Sequence, residues 1–280
     1  MGTLYLVATP IGNLEDMTLR AVRVLREVSL IAAEDTRSAR FLLDHYGITT
    51  PLTSFFEGNE ERKLETLLRA LEGGDVALIS EAGMPGISDP GYTLVRAAVE
   101  RGVTVVAVPG ASAHSTALIV SGLPTDRFLF LGFLPRQASE KHALLEEVAA
   151  LHVTLICYEA PHRLRETLAA MLEVWGDRRV ALCRELTKLH EEVWRGTLAA
   201  ALVYVDEKPP RGEYTLVIEG ASRERPRWST AQVRAALEQH LRAGQSPTQA
   251  AKEVAAFSGW SRREVYALLV HPEAEEDPSG

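Results

Sequence analysis

The sequence predicts an α/β protein of two domains that ends in a small helical module. Three observations support this: β-branched runs alternate with helical patterns early in the chain, strands outnumber helices in the next part, and short helical patterns close the chain. With 280 residues, 46% of them hydrophobic, the chain is long enough for two domains that each bury a core.

The first domain is predicted to span residues 1–121. Apolar runs such as Leu4–Val7 and Val76–Ile79 alternate with helical patterns, which is typical of a mostly parallel sheet covered by helices. The helical patterns lie at 17–27, 36–46, 60–72, 91–101 and 112–121. The turn-forming segment Gly122–Asp126 then interrupts the chain.

The second domain is predicted to span residues 122–222, with helices at 138–150 and 162–175. Its strands are predicted at Phe128–Phe133, Val153–Cys157, Val180–Glu185, Glu192–Gly196 and Tyr214–Glu219. Because strands outnumber helices, some neighbouring strands must run antiparallel, and the sheet is expected to be mixed.

The third segment, residues 223–270, follows the linker Ala221–Arg227 and carries helical patterns near 229–243, 247–257 and 261–270. Small residues around Gly259 are compatible with a helix-turn-helix or a plain αα-hairpin. Arg223–Glu264 holds eight basic and four acidic residues, which indicates an RNA-contacting or dimer-packing module. Residues 271–280 form an acidic tail with little to bury.

Four predicted strands end in loops rich in glycine, proline and polar residues. The most informative is Ser80–Gly91, which follows Val76–Ile79, and the other three are Ala8–Asn13, Val108–Ala113 and Tyr158–Arg163. Each alone is commonly a strand-to-helix turn. Ligands of open α/β sheets bind at the carboxyl ends of strands, so the recurrence predicts one composite site.

Composition and spacing exclude several classes. No apolar run is long enough to span a membrane, and no leader pattern precedes the first strand. Cys157 and Cys183 fit buried core positions in a reducing cytoplasm. The eight histidines form no spaced ligand set, so no metal is expected, and there is no phosphate-binding loop of the Gly-x-x-x-x-Gly-Lys type.

Nine motifs, taken together in chain order, carry a family resemblance. They are Ala8–Leu14, Thr18–Ala21, Ala33–Arg37, Ile87–Gly91, Pro109–Ala113, Ser121–Pro124, Gly132–Pro135, Tyr158–Arg163 and Arg184–Lys188. The set resembles the bacterial ribosomal RNA small-subunit methyltransferase I family, which has the two-domain tetrapyrrole methylase fold of the class III methyltransferases. The match runs from about residue 3 to 220, and the C-terminal helices are similar to a helical domain that this family often carries.

The resemblance implies a cofactor, a substrate and an assembly. The cofactor is S-adenosylmethionine, bound in a cleft between the two domains, with no metal. The substrate is the 2′-hydroxyl of cytidine 1402 in the decoding region of 16S rRNA, within the small ribosomal subunit. The resemblance also implies a homodimer.

The sequence departs from the family pattern in the loop after Ile79. Where the family usually reads Ser-Asp-Ala-Gly-Thr-Pro, this chain has Glu81 for the aspartate and Met84 for the threonine, and Gly86 replaces a larger apolar residue. Glu81 keeps the charge on a longer side chain, and Met84 lacks the hydroxyl. Contacts made by backbone atoms survive both changes.

A positively charged sulfur suits carbonyl oxygens, small residues and apolar walls, and in-line methyl transfer depends mainly on positioning. We therefore expect cofactor contacts from the glycine- and proline-rich loops and the strand ends. The predicted residues are Pro10, Ala82, Gly83, Met84, Pro85, Ser112, Ala113, Tyr158, Leu186 and Thr215.

The acceptor hydroxyl must also lose a proton. Candidate groups are Glu34, Asp35, Asp89, Glu159, Glu185, His162 and Lys188. Foremost are Lys188, Glu185 and Asp35. Lys188 is either a base with a lowered pKa, a cation for RNA phosphate, or the structural partner of Glu185. Asp35 precedes a helical pattern, and an N-cap is its alternative role.

Phosphate contacts with RNA are expected from basic side chains near the loops. The predicted residues are Arg37, Arg136, His162, Arg163 and Lys188. A splayed target nucleotide would stack on an aromatic ring such as Phe55, Phe56 or Tyr92, although core packing is the alternative for each phenylalanine.

Two other functions remain open. One is a methyltransferase of the same fold that acts on a small molecule or a protein. The other is a non-catalytic assembly factor that binds S-adenosylmethionine and RNA, for which Glu81 and Met84 are the support. The motifs Tyr158–Arg163 and Arg184–Lys188 and the basic C-terminal segment favour an RNA substrate.

Overall fold

The computed structural model describes residues 1–222 and 228–270. Met1–Ala221 form one compact unit, and a second unit begins at Ser222. Arg223, Arg225 and Arg227 of the predicted basic segment, and the predicted acidic tail at 271–280, lie outside the described residues. The division of the first unit near residue 121 stays a prediction.

The first sheet is parallel at every described pairing, with the order β3-β2-β4-β1-β5. Its strands are β1 (Thr3–Val7), β2 (Leu30–Ala33), β3 (Leu52–Ser54), β4 (Val76–Ile79) and β5 (Thr104–Val108). The connecting helices are α1 (Leu19–Glu27), α2 (Thr36–His45), α3 (Glu60–Gly73), α4 (Tyr92–Glu100) and α5 (Ala113–Ser121). The predicted parallel sheet is thereby confirmed.

The helices of the first sheet cover both of its faces. Ala77 and Ile79 of β4 pack into one apolar core, whereas Val76 and Leu78 pack into another. All four residues of β4 are buried. A strand covered on both sides reads as a continuous apolar run, which is why this strand was clear in the sequence.

The second sheet is mixed, with the order β6-β7-β10-β8-β9. Its strands are β6 (Phe128–Phe133), β7 (Thr154–Glu159), β8 (Arg179–Arg184), β9 (Glu192–Thr197) and β10 (Tyr214–Ile218). β6 runs parallel to β7, and the other pairings are antiparallel, which confirms the predicted mixed sheet. Cys157 and Cys183 are buried in β7 and β8, as predicted.

Among the described residues, four helices pack on this sheet. Helix α5 covers one face, where Ala117 and Leu118 meet Ile156 and Val217. The other face is covered by α6 (Ala138–Val148), α7 (Pro161–Trp175) and α8 (Leu198–Glu207). The sequence did not predict α8. Its apolar residues surround most of the helix, so the period of 3.6 is hidden, and the start is marked by Thr197, whose side chain accepts a hydrogen bond from the Ala200 amide.

The second unit contains α9 (Thr230–Arg242), α10 (Pro247–Ser258) and α11 (Arg262–Val270), close to the predicted positions. Ser229 and Gln232 form a capping box at the start of α9. Val233, Val254 and Val265 bring the three helices together around a small core. Gly259, at φ +71°, ends α10 in the left-handed conformation that glycine adopts readily. Within the described residues, no helix is long and apolar enough to cross a membrane.

Candidate active site

A cleft of about 930 Å³ lies where the strand ends of the two sheets meet. All four loops that the sequence singled out contribute lining residues, together with the ends of β6 and β8 and the start of β10. Ligand pockets for small molecules measure roughly 300–1,000 Å³, so the cleft has room for a small cofactor and part of an acceptor.

The loops after β1 and β4 are joined backbone to backbone. The Thr9 amide donates to the Gly83 carbonyl at 2.8 Å, and the Gly83 amide donates to the Thr9 carbonyl at 3.1 Å. The Ser80 hydroxyl also donates to the Gly83 carbonyl at 3.2 Å. Gly83 has φ +84°, a conformation that costs glycine little, and this turn presents Ala82 and Met84 to the cleft.

The second sheet forms the floor of the cleft, because the register of its strands brings the start of β10 beside the ends of β7 and β8. β10 lies antiparallel between β7 and β8, so Thr215 is opposite both Tyr158 and Cys183. The start of β10 therefore adjoins the ends of its two neighbours. Thr215, Leu186 and Cys183 line the cleft with at most 6% of their surface exposed.

The residues predicted to contact the cofactor can now be placed. Pro10, Ala82, Gly83, Met84, Ser112, Ala113, Tyr158, Leu186 and Thr215 line the cleft. Pro85 is buried and is not among the lining residues. The two departures from the family pattern, Glu81 and Met84, both line the cleft, so their side chains belong to the candidate site.

Three carboxylates, Glu34, Glu81 and Asp89, line one side of the cleft. The Glu81 amide donates to the Glu34 carboxylate at 3.4 Å. Burial, with the neighbouring charge of Glu34, raises the pKa of Asp89 to about 7, while a hydrogen bond with Ser80 opposes the shift. Burial also raises the pKa of Glu34. Asp89 therefore changes charge near neutral pH, whereas carboxyl groups usually do so near pH 4.

Lys188 lines the cleft as one member of an ion-pair network. Its Nζ lies 2.7 Å from Glu213 Oε2 and 3.1 Å from Glu185 Oε1. Partial burial acts to lower the Lys188 pKa, but the hydrogen bonds to Glu213 and Glu185 outweigh it, and the pKa is raised. An ammonium with a raised pKa holds no lone pair at neutral pH. The geometry thus favours the cation and the structural pair over the base among the roles considered for Lys188.

Glu185 is held in the same network and does not line the cleft. Its Oε1 accepts from the Glu213 amide at 2.9 Å. Burial acts to raise the Glu185 pKa, but that hydrogen bond and Lys188 overcome it, and the pKa is lowered. Glu185 is therefore a stable anion that positions Lys188.

The segment around Leu186 has an unusual backbone. Glu185 and Thr187 have φ of +51° and +67°, in the left-handed region that side-chain-bearing residues rarely occupy. Among the described residues, the buried Thr187 Oγ1 has no hydrogen-bond partner. Strained backbone and unsatisfied polar atoms concentrate at functional sites, which supports a role for this segment in the cleft.

Asp35 acts as the cap of α2. Its carboxylate accepts from the Arg37 amide at 2.7 Å, and this hydrogen bond lowers the Asp35 pKa. Asp35 is not among the lining residues of the cleft. The structure therefore favours the helix-cap alternative over proton transfer.

The predicted RNA contacts separate into different environments. Arg37 lines the cleft with a side chain that is 92% exposed. Arg163 is mostly buried: its guanidinium donates to the Leu134 and Pro135 carbonyls at 2.8 Å and lies 3.3 Å from the buried Glu159 carboxylate. Arg163 is thus engaged in holding its own chain. Arg136 and His162 are exposed but are not among the lining residues.

The aromatic side chains of the cleft differ from those proposed from sequence. Phe55 is fully buried in the core, and Phe56 and Tyr92 are exposed away from the lining. The cleft instead presents Phe133 and Phe41, exposed by 57% and 69%. In the sequence, Phe133 lies in the motif Gly132–Pro135, but the motif does not show that the ring faces the cleft.

Phe133 belongs to a connected aromatic group. Its ring meets Tyr158 at 5.4 Å between centroids, Tyr158 meets Phe130 at 4.9 Å, and Phe130 stacks on His114 at 4.8 Å. Burial lowers the His114 pKa, which favours the neutral form of this ring. Within residues 1–222 and 228–270, no group of three or more His, Cys, Asp or Glu side chains is arranged to hold a metal ion.

Comparison with known proteins adds the family context. The model of the Tetrapyrrole (Corrin/Porphyrin) Methylases matches residues 3–202. Proteins named ribosomal RNA small subunit methyltransferase I are similar over nearly the whole chain. One from Halalkalibacterium halodurans is 48% identical over 95% of this chain and 94% of its own, and one from Synechocystis sp. is 48% identical over 98% and 100%. A third, from Bacillus subtilis, is 46% identical over 95% and 93%.

Solved structures with a similar fold are more distant in sequence. The native form of uroporphyrin III C-methyl transferase from Thermus thermophilus aligns with a TM-score of 0.55 at 20% identity, over 78% of this chain and 97% of that one. A diphthine synthase aligns with a TM-score of 0.63 at 13% identity, over 79% and 90%. At these identities the likeness shows the fold alone.

Proposed function

The chain belongs to the tetrapyrrole methylase family, and on that basis we propose that it methylates the small-subunit ribosomal RNA. The proposed donor is S-adenosylmethionine, and the proposed acceptor is the ribose 2′-hydroxyl of cytidine 1402 in 16S rRNA. The observation that carries the proposal is the sequence identity of 46–48% to three proteins named ribosomal RNA small subunit methyltransferase I, over at least 95% of the chain.

The residues of the cleft fit the donor. When bound, S-adenosylmethionine supplies a methyl group on a positively charged sulfur. Glu34, Glu81 and Asp89 give one side of the cleft a negative field, which attracts the positive charges of the donor and repels phosphate. Buried Leu186 and Thr215 line the cleft and would receive the less polar part of the donor.

Asp89 is the side chain we propose as proton acceptor. It lines the cleft, and burial beside Glu34 raises its pKa to about 7, where a base is most effective at neutral pH. Its carboxylate would accept the proton that the 2′-hydroxyl loses when it is methylated. We prefer Asp89 to Lys188 as the proton acceptor, because Glu213 and Glu185 hold Lys188 in its ammonium form.

Arg37 and Lys188 are the proposed contacts for RNA phosphates. Both line the cleft, and Arg37 is the more exposed of the two. Phosphate contacts orient the strand, and the shape of the cleft then selects the ribose. We also propose that the enzyme acts in the cytoplasm, on the assembled small subunit, as a homodimer.

Two alternatives are distinguishable. A small-molecule or protein substrate is the first alternative, since the fold, which this chain shares with a uroporphyrin III C-methyl transferase and a diphthine synthase, does not fix the acceptor. A non-catalytic assembly factor has its support in the side-chain changes at Glu81 and Met84, which line the cleft.

The deciding experiment uses purified protein, labelled S-adenosylmethionine and small ribosomal subunits from a strain that lacks the modification. Nuclease digestion and mass spectrometry then identify the product nucleoside. A 2′-O-methylated cytidine at the expected site supports the proposal. Donor binding without transfer supports the assembly factor, and transfer only to a small molecule or protein overturns the RNA assignment.

A further inference from the structure

A β-bulge in β6 directs Phe133 to the cleft. Phe130 pairs with Ile156 of β7, but Phe133 pairs with Tyr158, so three steps along β6 match two steps along β7. Side chains of a regular strand alternate between faces. Without the extra residue, Phe133 would share the face of Leu129 and Leu131, which pack into the core of the second sheet.

The bulge places Phe133 on the opposite face, with Phe130 and Tyr158. Gly132 has φ +65°, a conformation available to glycine at little cost. Bulges occur frequently beside active sites, where they change the direction of a side chain. The Phe133 ring lines the cleft and is 57% exposed, so its free face is available to a bound ligand.

The bulge also contacts the loop that carries the proposed base. A Cβ built at Gly132 would lie 3.2 Å from Ser88 Oγ, so the Ser88 side chain lies against the bulge. Ser88 itself has φ +61° and is followed directly by Asp89. Phe133 is thus at the side of the cleft where the acceptor ribose would be deprotonated.

From this geometry we propose that Phe133 is the platform on which the base of the target nucleotide stacks; the inference rests on the proposed function. The base and the 2′-hydroxyl belong to one nucleoside, so the platform must adjoin Asp89, which favours Phe133 over Phe41 on α2. The exposed position suits a macromolecular acceptor, whereas the buried floor at Cys183 and Thr215 suits the small donor. Aromatic side chains commonly stack on unpaired RNA bases.

The test compares Phe133→Leu, Phe133→Tyr and the control Phe128→Leu, which alters an exposed phenylalanine of the same strand outside the cleft lining. Methyl transfer to unmodified small subunits is measured with the donor saturating, and donor affinity is measured separately by calorimetry. We expect Phe133→Leu to raise the KM for subunits about 5- to 150-fold, the range for loss of one base–aromatic stack. Phe133→Tyr should keep the KM close to that of the wild type, because tyrosine also stacks on a base. Donor affinity should be the same in all variants.

Any of the following results would overturn the proposal that Phe133 stacks on the target base. Equal KM values for Phe133→Leu and Phe128→Leu would show that no stack exists, although transfer by the wild type would leave the proposed function intact. Weaker donor binding by Phe133→Leu would assign the ring to the donor adenine instead. Absence of transfer by the wild type, with donor binding retained, would refute the proposed function and the platform together.

Discussion

The Lys188 side chain lies directly over Gly12: a Cβ built at residue 12 would come within 2.4 Å of Lys188 Cγ. This close approach joins the loop after β1 of the first sheet to the loop after β8 of the second. The ammonium beyond it is held by Glu185 and Glu213. Gly12 is therefore the position at which the smallest added group displaces Lys188.

Gly12→Ala should lower methyl transfer about 10²-fold, the scale of loss for a displacement of about 1 Å in a positioning group. The mutation does not touch the buried core, so the protein should still fold. Single-turnover rates on small subunits provide the measurement. Gly73→Ala is the control, since a Cβ there meets nothing within 4 Å. Equal rates for the two variants would show that the position of Lys188 is unimportant.

Asp89→Asn should abolish the dependence of the methyl-transfer rate on pH near pH 7, because asparagine does not ionise. With a pKa of about 7, Asp89 is mostly protonated below pH 7 and cannot accept a proton, so the wild-type rate should rise tenfold per pH unit and level off above pH 7. The asparagine variant should be slower by about 10² to 10⁴ and lack this inflection. Asp44→Asn, at an exposed site on α2, is the control for the pH profiles.

Asp89 should also make the stability of the wild type depend on pH. Whereas the rate rises with pH, the free energy of unfolding should fall. Because the Asp89 pKa is raised in the folded state, that state binds the proton more tightly than the unfolded chain between about pH 4 and 7. The wild type therefore loses stability as the pH rises through this window. Urea unfolding at pH 5 and pH 8 should show a gain for Asp89→Asn over wild type that is larger at pH 8. No difference between the two pH values would place Asp89 in an ordinary solvated environment.

Arg37→Ala should weaken binding of small-subunit RNA and reduce the slope of log K against log salt by about 1, as expected for one lost phosphate contact. Donor affinity should stay the same. Filter binding at several salt concentrations provides the slope. Arg37 is exposed and lies 3.5 Å from the Asp35 carboxylate. Arg96→Ala serves as the control because Arg96 is likewise exposed and paired, with Glu100, but lies outside the cleft lining. An unchanged slope for Arg37→Ala would remove Arg37 from the RNA interface.

Glu159→Gln should reduce the free energy of unfolding by about 1–3 kcal/mol, the cost of leaving a buried polar group unsatisfied. The buried carboxylate accepts from Thr167 Oγ1 at 2.6 Å and from the Ala160 amide at 2.9 Å, and it faces Arg163. Urea unfolding measures the change. Glu100→Gln, in an exposed pair, should stay within about 0.5 kcal/mol of wild type. A similarly small effect for Glu159→Gln would show that Arg163 does not depend on this carboxylate.

Sequence reasoning located the cleft because glycine and proline mark the ends of buried strands, as at Gly83 and Pro10. It could not resolve the role of Arg163, whose partners Leu134 and Pro135 are 28–29 residues away and are backbone carbonyls that any residue supplies. It also could not locate Phe133, because one extra residue in β6 reverses the face of the ring, and a bulge has no reliable sequence signal beyond Gly132.

The reactivity of the two buried cysteines can be used to measure transient opening of the folded protein. Burial raises the pKa of the Cys157 thiol and raises that of Cys183 to about 12, so almost no reactive thiolate exists in the folded protein at neutral pH. Disulfide reagents can therefore modify these thiols only during transient openings. Cys183 also lines the cleft floor while Cys157 does not, so a donor seated on that floor should slow labelling of Cys183 by more than labelling of Cys157. The labelling rates of the Cys183 and Cys157 sulfurs thus distinguish transient opening of the cleft from transient opening of the second sheet.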